Sequence, residues 1–181
     1  MQVGNGPMRM FSERDVPRMD GTVVEITGAN SGPGFKATLM LAGRGALIVL
    51  ACRDQGRMAL AVTSLRATGS GAMVDGLLLR LTSPRSMERA SNELATSDQR
   101  VDVVVNDAGV YAVPKRTPAD GFERHRGTNH LGHFAFTGRT LPSPDNATGK
   151  RVIPITSLFH RLRRIDFNAI SRPSRYGCDC Q

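Results

Sequence analysis

Apolar residues in this chain fall into short solid blocks separated by stretches of helical period. Thr22–Thr27 (TVVEIT) is a β-branched run, and Ala46–Ala51 (ALIVLA) is apolar throughout. Ala72–Leu81 holds a third strand, Val101–Val105 (VDVVV) is a fourth and Arg151–Thr156 (RVIPIT) a fifth. The ALIVLA run is short enough to be a parallel strand buried on both faces. Between the blocks the period lengthens. Gly34–Arg44 buries Phe35, Leu39 and Ala42 on one side, Met58–Arg66 is helical, and residues 84–96 repeat Met87, Ala90 and Leu94 on one face. Ser83-Pro84 reads as N-cap and first helical position. Thr117-Pro118-Ala119-Asp120 has capping-box spacing with Asp in the place of Glu, and opens a long helix ending near Gly138.

Strands joined through helices predict right-handed crossovers and a parallel sheet. Ligands of such sheets sit at the carboxyl ends of the strands, where strand order reverses. The polar candidates stand at those ends: residues 28–34, 52–54, 106–109 and 157.

A chain of 181 residues is most simply one domain, and it is long enough to bury about 70% of its unfolded surface. No apolar run is long enough for a membrane span, and the first fifteen residues lack the apolar core of a signal peptide. The three cysteines (Cys52, Cys178, Cys180) make no disulfide framework, so a reducing, cytoplasmic setting is expected. Cys178 and Cys180 have no second ligand pair, so no metal is expected there. The net charge is +8, carried by arginine apart from Lys36, Lys115 and Lys150. The arginines are scattered, and Arg161, Arg163 and Arg164 are not interleaved with stacking aromatics, so no nucleic-acid partner is expected.

Gly28, Gly32 and Gly34 have the spacing G-x-x-x-G-x-G between the first strand and its helix, with Asn30 and Ser31 adding polar groups. Glycines let the backbone approach a phosphate, and the helix start offers unpaired N–H groups; a plain turn is the alternative. Arg53 follows the second strand, and no carboxylate precedes Asp54 to hold a free ribose hydroxyl. An arginine there suits a ribose 2′-phosphate, so NADP is preferred to NAD, against a merely solvated arginine. Asn106-Asp107-Ala108-Gly109 is small enough to admit a flat ring or a ribose, and also fits an ordinary strand-end turn. His125, Asn129 and His133 share a helix face without an acidic partner, which favours an Asn buried against backbone over a metal. Ser157 closes the fifth strand and can donate to a substrate oxygen or cap a loop; no G-x-S-x-G surrounds it.

Together the segments TGANSGPG (27–34), LACRD (50–54), NDAG (106–109), DGFERHRGTNHLGHFAFTG (120–138) and RVIPITSLFHRLRRIDF (151–167) resemble the short-chain dehydrogenase/reductase family, in its retinol-dehydrogenase-like branch. The resemblance implies a Rossmann-like doubly wound α/β sheet of about five parallel strands, order 3-2-1-4-5, lacking the family's last strands. It implies a domain over residues 21–167, with an N-terminal extension (1–20) and an irregular tail (168–181). Gly28, Gly32 and Gly34 would form the pyrophosphate turn, and Arg53 would face the 2′-phosphate. Asn106, Ala108 and Gly109 would line the adenosine side, Asn129 would hold a water of the proton relay, and Ser157 would orient the substrate oxygen. The implied activity is NADP-dependent interconversion of a small-molecule alcohol and carbonyl by an oxidoreductase that can form homo-oligomers.

The family's proton donor is a tyrosine in the pattern Y-x-x-x-K, whose lysine lowers the tyrosine pKa. No lysine follows Lys150 and the residue four after Tyr176 is Cys180, so the expectation is a C-terminally truncated, catalytically impaired member. A non-catalytic nucleotide-binding fragment or decayed product is the alternative. Four departures agree with this. Glu25 stands in a buried strand and Pro33 removes a phosphate-facing N–H. Arg80 replaces an aspartate near the adenine, and Asp107 replaces an asparagine.

Overall fold

A computed structural model describes residues 12–68, 72–97, 100–111, 124–141, 149–158 and 161. Five parallel strands form one sheet: β1 (Val23–Thr27), β2 (Leu47–Cys52), β3 (Val74–Leu78), β4 (Val103–Asn106) and β5 (Arg151–Pro154), ordered β3-β2-β1-β4-β5. The order reverses at β1, so β2 and β4 flank it, pairing Glu25 with Val49 on one side and Val104 on the other.

Helices cover both faces. α1 (Gly32–Ala42) and α2 (Gln55–Arg66) bury Val24, Ile26, Ile48, Leu50 and Val105 under Phe35, Leu39 and Leu65. α3 (Pro84–Thr96) and α5 (His133–Thr140) close the other face, where Met87, Ala90 and Phe136 meet Val23, Val49, Leu77 and Val104. Ser83 caps α3, its hydroxyl oxygen accepting from the Ser86 amide, as Ser-Pro anticipates.

Two helices begin earlier than the apolar period suggests. α2 starts at Gln55 rather than Met58, because the Asp54 carboxylate accepts the Arg57 amide and caps the first turn. α1 starts at Gly32, with Pro33 in its first turn. The long helix is not uniform either. α4 (Arg124–Arg126) passes through a π-helical stretch (Gly127–Gly132) into α5. The Thr117–Asp120 capping box lies outside the described residues, as does the tail 168–181. Of the N-terminal extension, Val16 is buried, its carbonyl accepts from the Arg44 guanidinium, and the Met19 amide donates to the Arg44 carbonyl.

The strands differ in cover. β1 is buried at every residue, whereas all four residues of β5 are exposed, at the sheet edge. Pro154 ends β5, an edge position where a missing N–H is tolerated.

Glu25 sits in the most buried row of the sheet. It is 0% exposed and neither carboxylate oxygen has a hydrogen-bond partner among the described residues. Val49 and Val104 flank it in register, on the α3/α5 face. Burial pushes its pKa up to about 8, so it is neutral in the folded protein at pH 7. An unfolded glutamate ionises near pH 4.5. The folded state therefore holds the extra proton between these values, and stability falls as pH rises from about 4.5 to 8. The cost at pH 7 is roughly 3 kcal/mol. Glu25→Leu is expected to raise the free energy of unfolding by about that amount at pH 7 and far less at pH 4.5, read from urea denaturation at both pH values.

Candidate functional site

At the switch point the carboxyl ends of β1, β2 and β4 surround a crevice of about 400 Å³. Its walls include Gly28, Asn30, Ser31, Gly32 and Pro33 after β1, Arg53, Asp54 and Arg57 after β2, and Asp107, Ala108 and Gly109 after β4. Seven of the sequence-predicted residues thus converge: Gly28, Asn30, Ser31, Gly32, Arg53, Ala108 and Gly109.

The floor is set by one close approach. Gly28 has φ +73°, and a Cβ there would lie 2.8 Å from the Ala108 Cα. Only glycine meets both conditions without strain. Thr27, just before it, holds the two strand ends together. Its hydroxyl oxygen accepts the amides of Asp107 and Ala108, each at 3.0 Å, which fills both lone pairs. Its own proton then goes to Nε2 of His133 at 2.9 Å, the Val105 carbonyl being farther at 3.4 Å. His133 must therefore be neutral, with its proton on Nδ1, which donates to the Asn129 carbonyl at 3.1 Å. Burial lowers the His133 pKa, against the opposing pull of the Asn129 carbonyl and Asp107.

The other candidates stand behind or beside the crevice. Gly34 lets α1 pack down, since a Cβ would lie 2.6 Å from an Asp107 carboxylate oxygen. The Asn106 side chain turns away into the α5 layer, its amide donating to the Thr137 hydroxyl at 3.0 Å. Asn129 is exposed rather than buried, but it is bonded to backbone: its Oδ1 accepts the Val110 amide at 2.8 Å and its Nδ2 donates to the Val110 carbonyl at 3.0 Å. Ser157 is exposed beyond β5 and is not among the crevice walls.

Two crevice features weaken an anion cradle. Pro33 contributes no N–H. The Asp107 carboxylate, on the crevice wall, accepts the Gly34 amide and sets an acidic group where an anion would approach, and burial raises its pKa against that bond. Arg57, one turn into α2, escaped the sequence reading; the Asp54 N-cap three residues earlier was the available signal. Cys52 also reaches the wall, as a buried free thiol. Among the described residues no group of three or more His, Cys, Asp or Glu is placed to hold a metal, and no helix is long and apolar enough to cross a membrane.

The family model described as short chain dehydrogenase matches residues 22–169. Human retinol dehydrogenase 13 is 37% identical over 155 residues, covering 86% of this chain and 47% of its own length. Human retinol dehydrogenase 11 is 35% identical, covering 88% and 50%. The chain thus spans about half the length of the curated relatives it matches. Among solved structures, an uncharacterised protein from Mycobacterium paratuberculosis superposes with TM-score 0.76 at 33% identity, covering 92% of this chain and 57% of that one. A short-chain dehydrogenase from Sphingobium yanoikuyae in complex with NADPH gives 0.61 at 26% identity, covering 72% and 52%.

Thr27→Val keeps the shape of the side chain but strands two amides and the His133 ring. It is expected to cost about 2–4 kcal/mol of stability, read as a lowered urea midpoint. Gly28→Ala is expected to destabilise the fold, also read as a lowered urea midpoint, because its methyl displaces the Ala108 backbone.

Proposed function

Since the chain belongs to the short-chain dehydrogenase family, we propose that its crevice binds NADP in preference to NAD and serves an oxidoreductase of the alcohol–carbonyl class. The observation that carries this is the placement of Arg53 and Arg57 on the β2 side of a crevice whose floor is Gly28 against Ala108. Neither arginine has an ion-pair partner among the described residues, so both are available to a phosphate. A guanidinium fork matches phosphate oxygens in a way a ribose hydroxyl does not need.

Bound nicotinamide would supply hydride transfer to or from a carbonyl carbon. The residues of this chain would do the holding. Gly28 and Gly32 bring backbone close to the pyrophosphate, with Asn30 and Ser31 as polar partners, while Gly34 sets the packing of α1. Ala108 and Gly109 leave room for the adenosine side, and Asn106 braces β4 from behind. Asn129 fixes the Val110 backbone at the crevice rim, and Ser157 would orient a substrate oxygen. A Y-x-x-x-K pair, which supplies general acid catalysis worth roughly 10²- to 10⁴-fold, does not occur after Ser157 in the 181 residues. The proposal places it in the cytoplasm, acting on a small-molecule alcohol or carbonyl, with homo-oligomerisation as in the family.

A second reading, nucleotide holding without chemistry, is favoured by the exposure of Ser157 and of every residue of β5. Titration calorimetry and an NADPH-oxidation assay over medium-chain and retinoid aldehydes separate the two. The expected result is NADP binding at least tenfold tighter than NAD. Arg53→Ala should remove most of the preference while leaving NAD affinity within twofold. Equal affinity for both cofactors would overturn the NADP assignment; robust turnover lost in Ser157→Ala would overturn the reading without chemistry. Pro33→Ala and Asp107→Asn restore an amide and remove a negative charge, and together should tighten NADP binding by about tenfold, or ~1.4 kcal/mol.

A further inference from the structure

Beside the crevice, on the far side of Arg53, lies an open groove of about 660 Å³. Arg53, Arg80, Arg85 and Arg89 line it, with Glu88 as its one carboxylate. Charge from three chain segments meets here because parallel strands deliver β2 and β3 to the same end of the sheet, where α3 begins. The arrangement is fixed by the Arg80 amide, which donates to the Ser86 hydroxyl at 3.0 Å and ties the end of β3 to the first turn of α3.

This concentration of charge is unfavourable as it stands. Arg53, Arg80 and Arg85 have no hydrogen-bond acceptor or ion-pair partner for their guanidinium groups among the described residues. Among the described residues the Arg89 side chain makes only a 3.5 Å contact to the Leu78 carbonyl. Arg85 and Arg89 are four apart on one helix face, a like-charge spacing that destabilises a helix. Four guanidiniums against one carboxylate leave the groove about three charges positive, and its size is that of a small-molecule site.

We propose that this groove is a second phosphate site, taking a small molecule with a chain of phosphoryl groups, and that it competes with the 2′-phosphate of the dinucleotide for Arg53. The site goes beyond the cofactor reading and meets it only at that shared arginine. Guanidinium forks accept successive phosphoryl groups through paired N–H donors, and several phosphates are needed to neutralise the groove. Arg85 and Arg89 anchor the far end, and Arg80 the middle. A ligand seated there draws Arg53 away from the crevice, so NADP binding weakens and NAD binding does not.

Sodium tripolyphosphate is the probe, titrated calorimetrically into the full chain at constant ionic strength. Arg85→Ala/Arg89→Ala should weaken its binding at least tenfold, with the melting temperature unchanged or raised and NAD affinity unchanged. Arg85→Lys/Arg89→Lys, which keeps the charge and loses the fork, should weaken it by a smaller factor and guards against misfolding of the first variant. Saturating tripolyphosphate should reduce apparent NADP affinity at least fivefold and NAD affinity less than twofold. ATP in place of tripolyphosphate identifies the source: equal affinity means that the phosphate chain alone is read, and tenfold tighter binding means a nucleotide. Binding that is unchanged in both double variants, or absent at matched ionic strength, overturns the proposal. Arg85- and Arg89-dependent tripolyphosphate binding in a protein that fails to bind NADP would overturn the cofactor reading and leave the groove standing.

Discussion

One oxygen atom governs the geometry of this molecule. The Thr27 hydroxyl receives two amides and gives its proton to an imidazole, so its bonding capacity is full. Those bonds fasten the end of β1 to the exit of β4 and both to α5. The close contact of Gly28 with Ala108 follows, and with it the depth of the crevice. The chain of constraint continues through His133 to the Asn129 carbonyl, while the Asn129 side chain clasps both polar groups of Val110. A buried hydrogen-bond network of this kind is worth more than its separate members, because each partner lost leaves others unsatisfied.

Much of this was legible in the sequence, for identifiable reasons. Short apolar runs marked β1, β2 and β4 most clearly, and glycine spacing after the first marked the crevice. Glu25 read as an acid in an apolar place and proves to be one. Helix starts were less legible, because the apolar period begins later than the cap: Asp54 controls the start of α2, and the first apolar residue facing inward is Met58. The side-chain directions of Asn106 and Asn129 were hidden, since both depend on where α5 packs against β4. No sequence period distinguishes a π turn from the α-helix around it.

Charge was the least legible property. Arg53, Arg80, Arg85 and Arg89 are spread across three elements and read as scattered along the chain. Parallel topology is what gathers them, since it brings successive strands to one end of the sheet. The same topology explains why acids and bases coexist at the crevice: Arg53 and Arg57 on the β2 side, Asp107 on the β4 side. A phosphate entering there meets attraction and repulsion a few residues apart, and Pro33 has removed one amide that would tip the balance.

The π-helical stretch from Gly127 to Gly132 has a consequence for how this helix can change. A π turn accommodates one residue more than an α turn, so a single deletion there would restore a regular helix. Everything on one side of the deletion would then rotate by about 100° relative to the other. Asn129 and His133, which serve the rim and the floor, could no longer both reach their partners. The surplus residue therefore acts as a phase shifter, and Gly132, pressed against the Leu81 carbonyl, is the point about which that phase is locked.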